Sequence, residues 1–95
     1  MKVKWKKTGL TLRTIEFEEG ELAGRTYSMG GDNLINRNPT TKYGYWIHHT
    51  TIKQIAPVEK SLTDQERLKV VLAIRGAFRE NKEAFGDLDY FDFTS

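Results

Sequence analysis

The spacing of hydrophobic residues changes character once along the chain, at about residue 61. From there to Arg79, apolar residues recur at intervals of three and four, as they do on one face of a helix. The residues on the apolar side of a helical wheel are Val70, Val71, Ile74, Ala77 and Phe78. Thr63 and Glu66 have the spacing of a capping box, in which each side chain bonds the backbone N–H of the other residue. The pattern predicts an amphipathic helix over about residues 63–83, with Gly86 just past its end.

Before this helix, apolar and polar residues alternate over short stretches, which is the spacing of half-buried strands. Val3 and Trp5 alternate with lysines in the first stretch. Leu12 and Ile15 fall in opposite phases of the alternation, and this odd step predicts a bulge or a break near Arg13–Thr14. Further strand-like stretches are residues 21–29, 43–48, 50–55 and, beyond the helix, 88–93.

Together these elements predict an α+β fold. We expect a mainly antiparallel β-sheet of about five to six short strands, packed against the one amphipathic helix and followed by a last strand. Ninety-five residues leave no room for a second core, so residues 1–95 are expected to form a single domain. Gly76 lies on the polar side of the helix, where glycine costs about 1 kcal/mol relative to alanine, and we therefore expect close packing against it.

Composition argues against several classes of protein. The chain has no cysteine, which excludes disulfides and thiolate metal sites and fits a cytoplasmic location. The longest apolar run, Val70–Ile74, is too short to span a membrane, and the basic N-terminus is not followed by the apolar run of a signal peptide. His48 and His49 are adjacent on a predicted strand and would point to opposite faces, so we expect no metal site. No motif predicts a cofactor or a catalytic residue, and we expect no enzyme.

The distribution of charge is more informative than the net charge of +2. Lysines make the first seven residues basic, whereas acidic residues cluster at positions 16–21 and again from position 80 to the end. These clusters are typical of solvated faces, and they are also typical of surfaces that bind a basic partner. The candidate partner-binding residues are the acids of the two clusters and one neighbouring aromatic residue: Glu18, Glu19, Glu21, Asp87, Asp89, Tyr90 and Asp92.

The sequence also leaves two other candidate binding surfaces. The lysine-rich first strand with Trp5, together with Tyr43, Tyr45 and Trp46 beside Lys42, would suit a small nucleic-acid-binding module that stacks bases on its sheet. Aromatic residues at every second position are also typical of a sheet core, and the acidic clusters would repel phosphates, so nucleic acid is the second choice. Arg75 and Arg79 flank two leucines of the helix and form a partly apolar, partly basic strip that either covers a sheet edge or docks a partner.

A pattern of residues between about positions 12 and 92 carries a family resemblance. It consists of Gly24-Arg25-Thr26-Tyr27, Trp46-Ile47, Thr51-Ile52, Pro57, Leu62-Thr63, Arg67, Val71, Ile74, Arg75, Ala77 and Phe78. In this pattern the chain resembles a family of small bacterial immunity proteins from polymorphic-toxin and contact-dependent growth inhibition systems.

The resemblance implies a function without catalysis and without a cofactor. An immunity protein binds one cognate toxin domain in the cytoplasm of the producing cell and blocks its active site or a neighbouring surface. If the toxin is a nuclease, its substrate cleft is basic, and an acidic cluster on the inhibitor would steer their association. The resemblance assigns no individual residue to the interface, and it leaves self-association open.

Overall fold

The structure is a computed structural model that describes residues 2–35, 43–86, 88 and 90–93. Within this part of the chain a curled mixed sheet packs against one α-helix, and the predicted α+β class is confirmed. The elements in chain order are β1 (Val3–Lys7), β2 (Leu12–Phe17), β3 (Thr26–Ile35), β4 (Tyr43–Ile47), β5 (Lys53–Ala56), α1 (Asp64–Glu80) and β6 (Tyr90–Phe93). Short 3-10 turns at His49–Thr51 and Lys82–Phe85 precede β5 and β6 respectively.

The long strand β3 organises the sheet, because it pairs along both of its edges. One edge pairs with β2, which in turn pairs with β1, and all these pairings are antiparallel. The other edge pairs with β5 over Thr26–Ser28 and with β4 over Gly31–Ile35. The chain from β4 to β5 is therefore one antiparallel partner of β3, interrupted by the 3-10 turn at His49–Thr51. Beyond β4 lies β6, which pairs with it in parallel.

The predicted bulge near Arg13–Thr14 is wrong. β2 keeps an unbroken register with β1 and with β3 through these residues. The alternation is regular because Arg13 takes the inward position with Ile15 and Phe17, and Leu12 points outward. The irregular register lies instead between Thr26 and Tyr27 of β3, opposite β5.

The sheet curls so strongly that strands far apart in it come into contact. The rings of Trp5 in β1 and Tyr45 in β4 are 6.1 Å apart although two strands separate them. Phe85, from the 3-10 turn before β6, lies 5.0 Å from the Trp5 ring and 6.3 Å from Phe91 of β6. It also contacts Phe78 of the helix, at 5.2 Å. Phe85 therefore fills the opening between the first and last strands of the curled sheet.

The predicted capping box begins α1. The Thr63 hydroxyl accepts a hydrogen bond from the backbone N–H of Glu66 at 3.2 Å, and the Glu66 carboxylate accepts from that of Thr63 at 3.0 Å. The helix ends at Glu80, earlier than the predicted boundary, and the chain continues as the 3-10 turn. Its buried residues are Val70, Val71, Ile74 and Ala77, as the wheel predicts, and Phe78 packs against them partly buried.

Close packing against Gly76 is not found. A Cβ atom added to this glycine would meet no atom of the described residues outside its own helical turn within 4 Å. Nothing in this part of the chain therefore requires a glycine at position 76.

Replacing Gly76 with alanine should therefore stabilise the protein. Alanine favours an exposed helix interior over glycine by up to about 1 kcal/mol, and the added methyl group meets no obstacle. Urea denaturation of dilute protein should show a higher midpoint for Gly76→Ala. Gly86 is the matched control, because its φ of 65° disfavours any side chain, and Gly86→Ala should lower the midpoint. A lower midpoint for Gly76→Ala would contradict this account.

The capping box also predicts a dependence of stability on pH. Hydrogen bonds from the Thr63 backbone N–H and from Lys60 lower the pKa of Glu66 from 4.5 to about 2. The ionised carboxylate therefore stabilises the folded state above about pH 4.5, and this contribution is lost as the pH falls towards 2. Wild type should melt at a higher temperature than Glu66→Gln at neutral pH, and the difference should shrink over that acidic range. A melting-temperature difference that stays constant with pH would show that the charge of Glu66 does not stabilise the folded state.

Candidate partner-binding surface

The face of the sheet that points away from α1 carries an unusual set of side chains. In the cross-strand rows of this face, Leu12 lies opposite Gly30, and Trp46 lies between Asp32 and Asp92. We call this the outer sheet face: Leu12, Gly30, Asp32, Gly44, Trp46, Tyr90 and Asp92. Large apolar residues and acids alternate across it, with glycines between them.

Two large apolar side chains project from the outer sheet face into solvent. Leu12 is 52% exposed and Trp46 is 42% exposed. Tyr90 lies directly over Gly44, because a Cβ atom at that glycine would overlap the Tyr90 ring. A single exposed apolar residue needs no explanation, but leucine, tryptophan and tyrosine on one sheet face are typical of an interaction surface.

The turn between β1 and β2 is held from inside the molecule by side chains of three strands. Arg13 Nη1 donates to Gly9 O at 3.4 Å, Asn33 Nδ2 donates to Leu10 O at 2.7 Å, and the Tyr45 hydroxyl donates to Thr11 O at 2.5 Å. Three consecutive carbonyl groups of an exposed turn are thus bound by buried or partly buried donors. We call Arg13, Asn33 and Tyr45 the Arg13 network.

Arg13 also contacts the other two members of the Arg13 network directly. Arg13 Nη2 donates to Asn33 Oδ1 at 2.7 Å, and Nη1 donates to Leu12 O at 2.9 Å. The guanidinium carbon lies 4.4 Å from the centroid of the Tyr45 ring, within the range of a cation–π contact. Arg13 is only 2% exposed, and a buried guanidinium is tolerated because its donors are hydrogen-bonded.

The Arg13 network fixes the backbone of the β1–β2 turn, whose side chain at Leu10 is exposed. Leu10, at the tip of the turn, is 79% exposed, the highest value among the large hydrophobic residues that the structure describes. The adjoining Leu12 lies on the outer sheet face. A side chain carried by an ordered backbone loses less conformational freedom when it binds, so Leu10 and Leu12 are candidates for contact with a partner.

The predicted acidic residues after β2 are engaged in ion pairs. The ion pairs are Lys2–Glu18, Lys4–Glu18 and Lys69–Glu21, with N–O distances of 3.7, 3.2 and 3.2 Å. Glu19 accepts a hydrogen bond from the backbone N–H of Lys2 at 2.8 Å. Glu18, followed by Glu16, raises the pKa of Lys4 above its ordinary value. This cluster is therefore close to electrically balanced and is not a bare acidic patch.

The predicted residues of the last strand belong to the outer sheet face. Tyr90 and Asp92 lie on β6 beside β4, so the structure brings both together with Trp46. The Asp92 carboxylate also lies 3.4 Å from Arg75 of the helix. Asp87 and Asp89 lie outside the described residues. β6 and β1 are at opposite ends of the strand order, so Tyr90 and Asp92 belong to a different strand pair from the acids after β2.

The aromatic residues expected for base stacking do not share a face. Tyr45 is fully buried and its hydroxyl is bound to Thr11 O, whereas Trp46 points outward. Lys4 is paired with Glu16 and Glu18 rather than free to meet a phosphate. Lys42 lies outside the described residues. Of Trp5, Tyr45 and Trp46, only Trp46 is strongly exposed, because Trp5 is partly buried and Tyr45 is fully buried.

Sequence reasoning missed the Arg13 network and the turn that it holds. Arg13 is in phase with Ile15 and Phe17, and that spacing was the available signal for an inward-facing arginine. No signal in the sequence shows that Asn33 and Tyr45 contact the β1–β2 turn, because those contacts depend on which strands are neighbours.

Neither a metal site nor a membrane span is found in the described ranges. No group of three or more histidine, aspartate or glutamate side chains there is arranged to hold a metal ion. His48 Nε2 instead lies 3.1 Å from an Asp32 carboxylate oxygen. No helix in the same ranges is long and apolar enough to cross a membrane.

Comparison with known proteins gives no relative. No protein-family model, no curated protein and no solved structure matches this chain. The resemblance to immunity proteins therefore rests on the sequence pattern alone, and the surface has to be interpreted from its own geometry.

Removing one hydroxyl group tests whether the Arg13 network holds the turn. Tyr45→Phe deletes the bond to Thr11 O and should lower the free energy of unfolding by about 1 kcal/mol. Amide hydrogen exchange of Gly31, whose N–H also bonds Thr11 O, should become faster. Tyr90→Phe is the matched control, since this tyrosine lies on the exposed face, and it should leave both quantities unchanged. Unchanged exchange at Gly31 in Tyr45→Phe would show that the bond does not fix the turn.

Proposed function

We propose that this protein is a non-catalytic inhibitor of the immunity type, which binds one cognate bacterial toxin domain in the cytoplasm of the producing cell. The observation that carries the proposal is the preorganised surface formed by Leu10, Leu12 and Trp46. The backbone of the turn that carries Leu10 and leads to Leu12 accepts hydrogen bonds from the side chains of Arg13, Asn33 and Tyr45. Inhibition by covering the toxin's active site, or a surface next to it, requires no chemistry from this chain.

The apolar members of the surface suit the centre of an interface. Binding energy in protein complexes is concentrated in a few residues, among which tryptophan and tyrosine are enriched. Trp46 and Tyr90 are neighbours on the outer sheet face, and both are partly exposed. The absence of a side chain at Gly44 leaves room for the Tyr90 ring, which lies over this part of the sheet.

The charges around Trp46 favour a basic partner. Asp32 and Asp92 lie on the two strands that flank it, and both carboxylates are exposed, Asp32 beside His48 at 3.1 Å and Asp92 beside Arg75 at 3.4 Å. Acids at the rim of an interface increase the rate of association with a basic surface, such as the substrate cleft of a nuclease. Glu18, Glu19 and Glu21 would add only weakly to this attraction, because lysines balance their charge.

Co-expression with a toxin tests the proposed function. The domain encoded immediately upstream of this chain's gene is the candidate toxin, and its expression alone should arrest growth. Co-expression of this chain should restore growth, and the two proteins should co-purify as a stable complex. Arrest in the presence of the chain, with no complex formed, would contradict the proposal. Retention of the chain on single-stranded DNA or RNA, lost at high salt, would favour the nucleic-acid alternative instead.

Within such a complex, Trp46→Ala should weaken binding at least tenfold, because truncating an interface hot spot costs more than about 1.4 kcal/mol. Asp32→Lys should slow association and flatten its dependence on salt. Reversal of Glu18, Glu19 and Glu21 to lysine should have a smaller effect, and Val58→Asp, at an exposed site in another part of the fold, should have none. Surface plasmon resonance at several salt concentrations measures all four. If the glutamate reversals abolish binding while Trp46→Ala does not, the interface lies elsewhere.

A further inference from the structure

On the inner side of the sheet, one cross-strand pair of residues binds the guanidinium group of Arg13. The pair consists of Asn33 on β3 and Tyr45 on β4, which lie directly opposite each other. The guanidinium carbon is 4.4 Å from the centroid of the Tyr45 ring, and Nη2 donates to Asn33 Oδ1 at 2.7 Å. An aromatic ring on one strand and a side-chain oxygen on the next strand therefore bind a guanidinium group together.

The adjacent pair on the same two strands has the same layout, but on the outer sheet face. Asp32 of β3 lies directly opposite Trp46 of β4. Successive residues of a strand point to opposite faces, so this pair repeats the arrangement of Asn33 and Tyr45 with its side chains turned towards solvent. Both differences favour a cation, because a carboxylate replaces an amide and indole is the aromatic ring that attracts cations most strongly.

β6 adds a second carboxylate to this pair. Asp92 lies opposite Trp46 on its other side, so the indole side chain stands in a row between two acids. Neighbouring strands are about 4.8 Å apart, which brings both carboxylates within reach of a group that lies on the indole ring. Tyr90, two residues before Asp92 on the same face, lies over Gly44 and is 37% exposed. We call Asp32, Trp46 and Asp92 the Trp46 row.

The Trp46 row is accessible and keeps capacity for a further hydrogen-bond donor. Trp46 is 42% exposed, and the side chains of Asp32 and Asp92 are 65% and 70% exposed. One contact to each carboxylate comes from this chain, from His48 at 3.1 Å and from Arg75 at 3.4 Å. A carboxylate offers about four lone-pair positions, so these contacts leave acceptor positions on both acids.

We propose that the Trp46 row is a binding site for the guanidinium group of an arginine side chain that belongs to a partner protein. The guanidinium plane lies on the exposed indole ring, and its N–H groups donate to the flanking carboxylates. Arginine suits this site better than lysine, because guanidinium is planar, stacks on aromatic rings and carries five N–H donors in a fixed geometry. The row therefore selects a chemical group and not only a positive charge.

For the toxin, this inference rests on the proposed function, and it identifies an exposed arginine as the toxin residue that meets Trp46. Arginine is enriched wherever phosphate groups are recognised, which fits a nuclease cleft or the surface next to it. The Trp46 row itself belongs to this chain and can be tested without a toxin.

Titration of the isolated chain with N-acetyl-arginine amide, at constant ionic strength, tests the site. The indole N–H signal of Trp46 in nitrogen-15 NMR spectra should shift and saturate, with a dissociation constant between about 10 and 100 mM, because one exposed side chain contributes little binding energy. The indole N–H signal of the partly buried Trp5 is the internal control and should not move. The lysine analogue should bind about threefold more weakly or worse, and the uncharged citrulline analogue should not bind.

Substitutions separate the contribution of the ring from that of the carboxylates. Asp32→Asn and Asp92→Asn keep the side-chain shape, and each should weaken arginine binding about two- to threefold. Trp46→Leu keeps an apolar side chain and should abolish binding, as reported by the backbone amide signals of Asp32 and Asp92. Glu59→Gln is the matched control, since this exposed acid lies outside the row, and it should leave the affinity unchanged. The spectra themselves show whether each variant is folded.

Three results would overturn the site: no saturable shift of the Trp46 signal, equal affinity for the arginine and lysine analogues, or undiminished binding when Asp32 and Asp92 are both asparagine. These results are separable from a failure of the proposed function. A chain that binds the arginine analogue but forms no complex with the upstream-encoded domain would contradict the proposed function and leave the site in place. A chain that neutralises that domain without any preference for arginine would overturn the site alone.

Discussion

The buried guanidinium of Arg13 is the interaction on which the arrangement of this surface depends. It occupies an inward position of β2 that would otherwise take an apolar side chain, and it reaches the carbonyl groups of Gly9 and Leu12. Through Asn33 it links the turn to β3, and through the Tyr45 ring it contacts β4. A polar group so deeply buried is stable only when its hydrogen bonds are made, so the turn and the three strands are ordered together.

The protein separates a scaffold from an outward surface. The aromatic contacts of Trp5, Phe78, Phe85 and Phe91 close the curled sheet around the helix and leave the outer sheet face at the periphery. The outer sheet face carries apolar and acidic side chains, and the Arg13 network holds the adjoining β1–β2 turn. The exposed leucines of α1, Leu68 and Leu72, lie apart from it on the helix.

The sequence pattern was sufficient for those features that depend on local spacing. The capping box at Thr63 and the buried stripe of α1 follow from intervals of three and four residues, and the opposite faces of Tyr45 and Trp46 follow from alternation. The pattern failed where a residue type is atypical of its position. An arginine in phase with Ile15 was interpreted as an interruption, because charged residues are rarely buried.

Contacts between distant segments could not be predicted. Tyr90 and Asp92 were identified as candidates from charge and aromaticity, but their place beside Trp46 depends on the parallel pairing of β6 with β4. The bond between Tyr45 and Thr11 likewise depends on strand order and on the curl of the sheet. Glu18 and Glu21 looked like an acidic patch because lysines distant in sequence, Lys4 and Lys69, neutralise them only in the folded chain.

The central claim is that the outer sheet face and its preorganised turn form the surface that binds the toxin. Methyl cross-saturation in the complex with the upstream-encoded domain tests it most directly, because it reports which leucines lie against the partner. The account predicts strong saturation transfer to the methyl groups of Leu10 and Leu12, and little to those of Leu68 and Leu72. Transfer confined to Leu68 and Leu72 would contradict it, and would assign toxin binding to the helix instead.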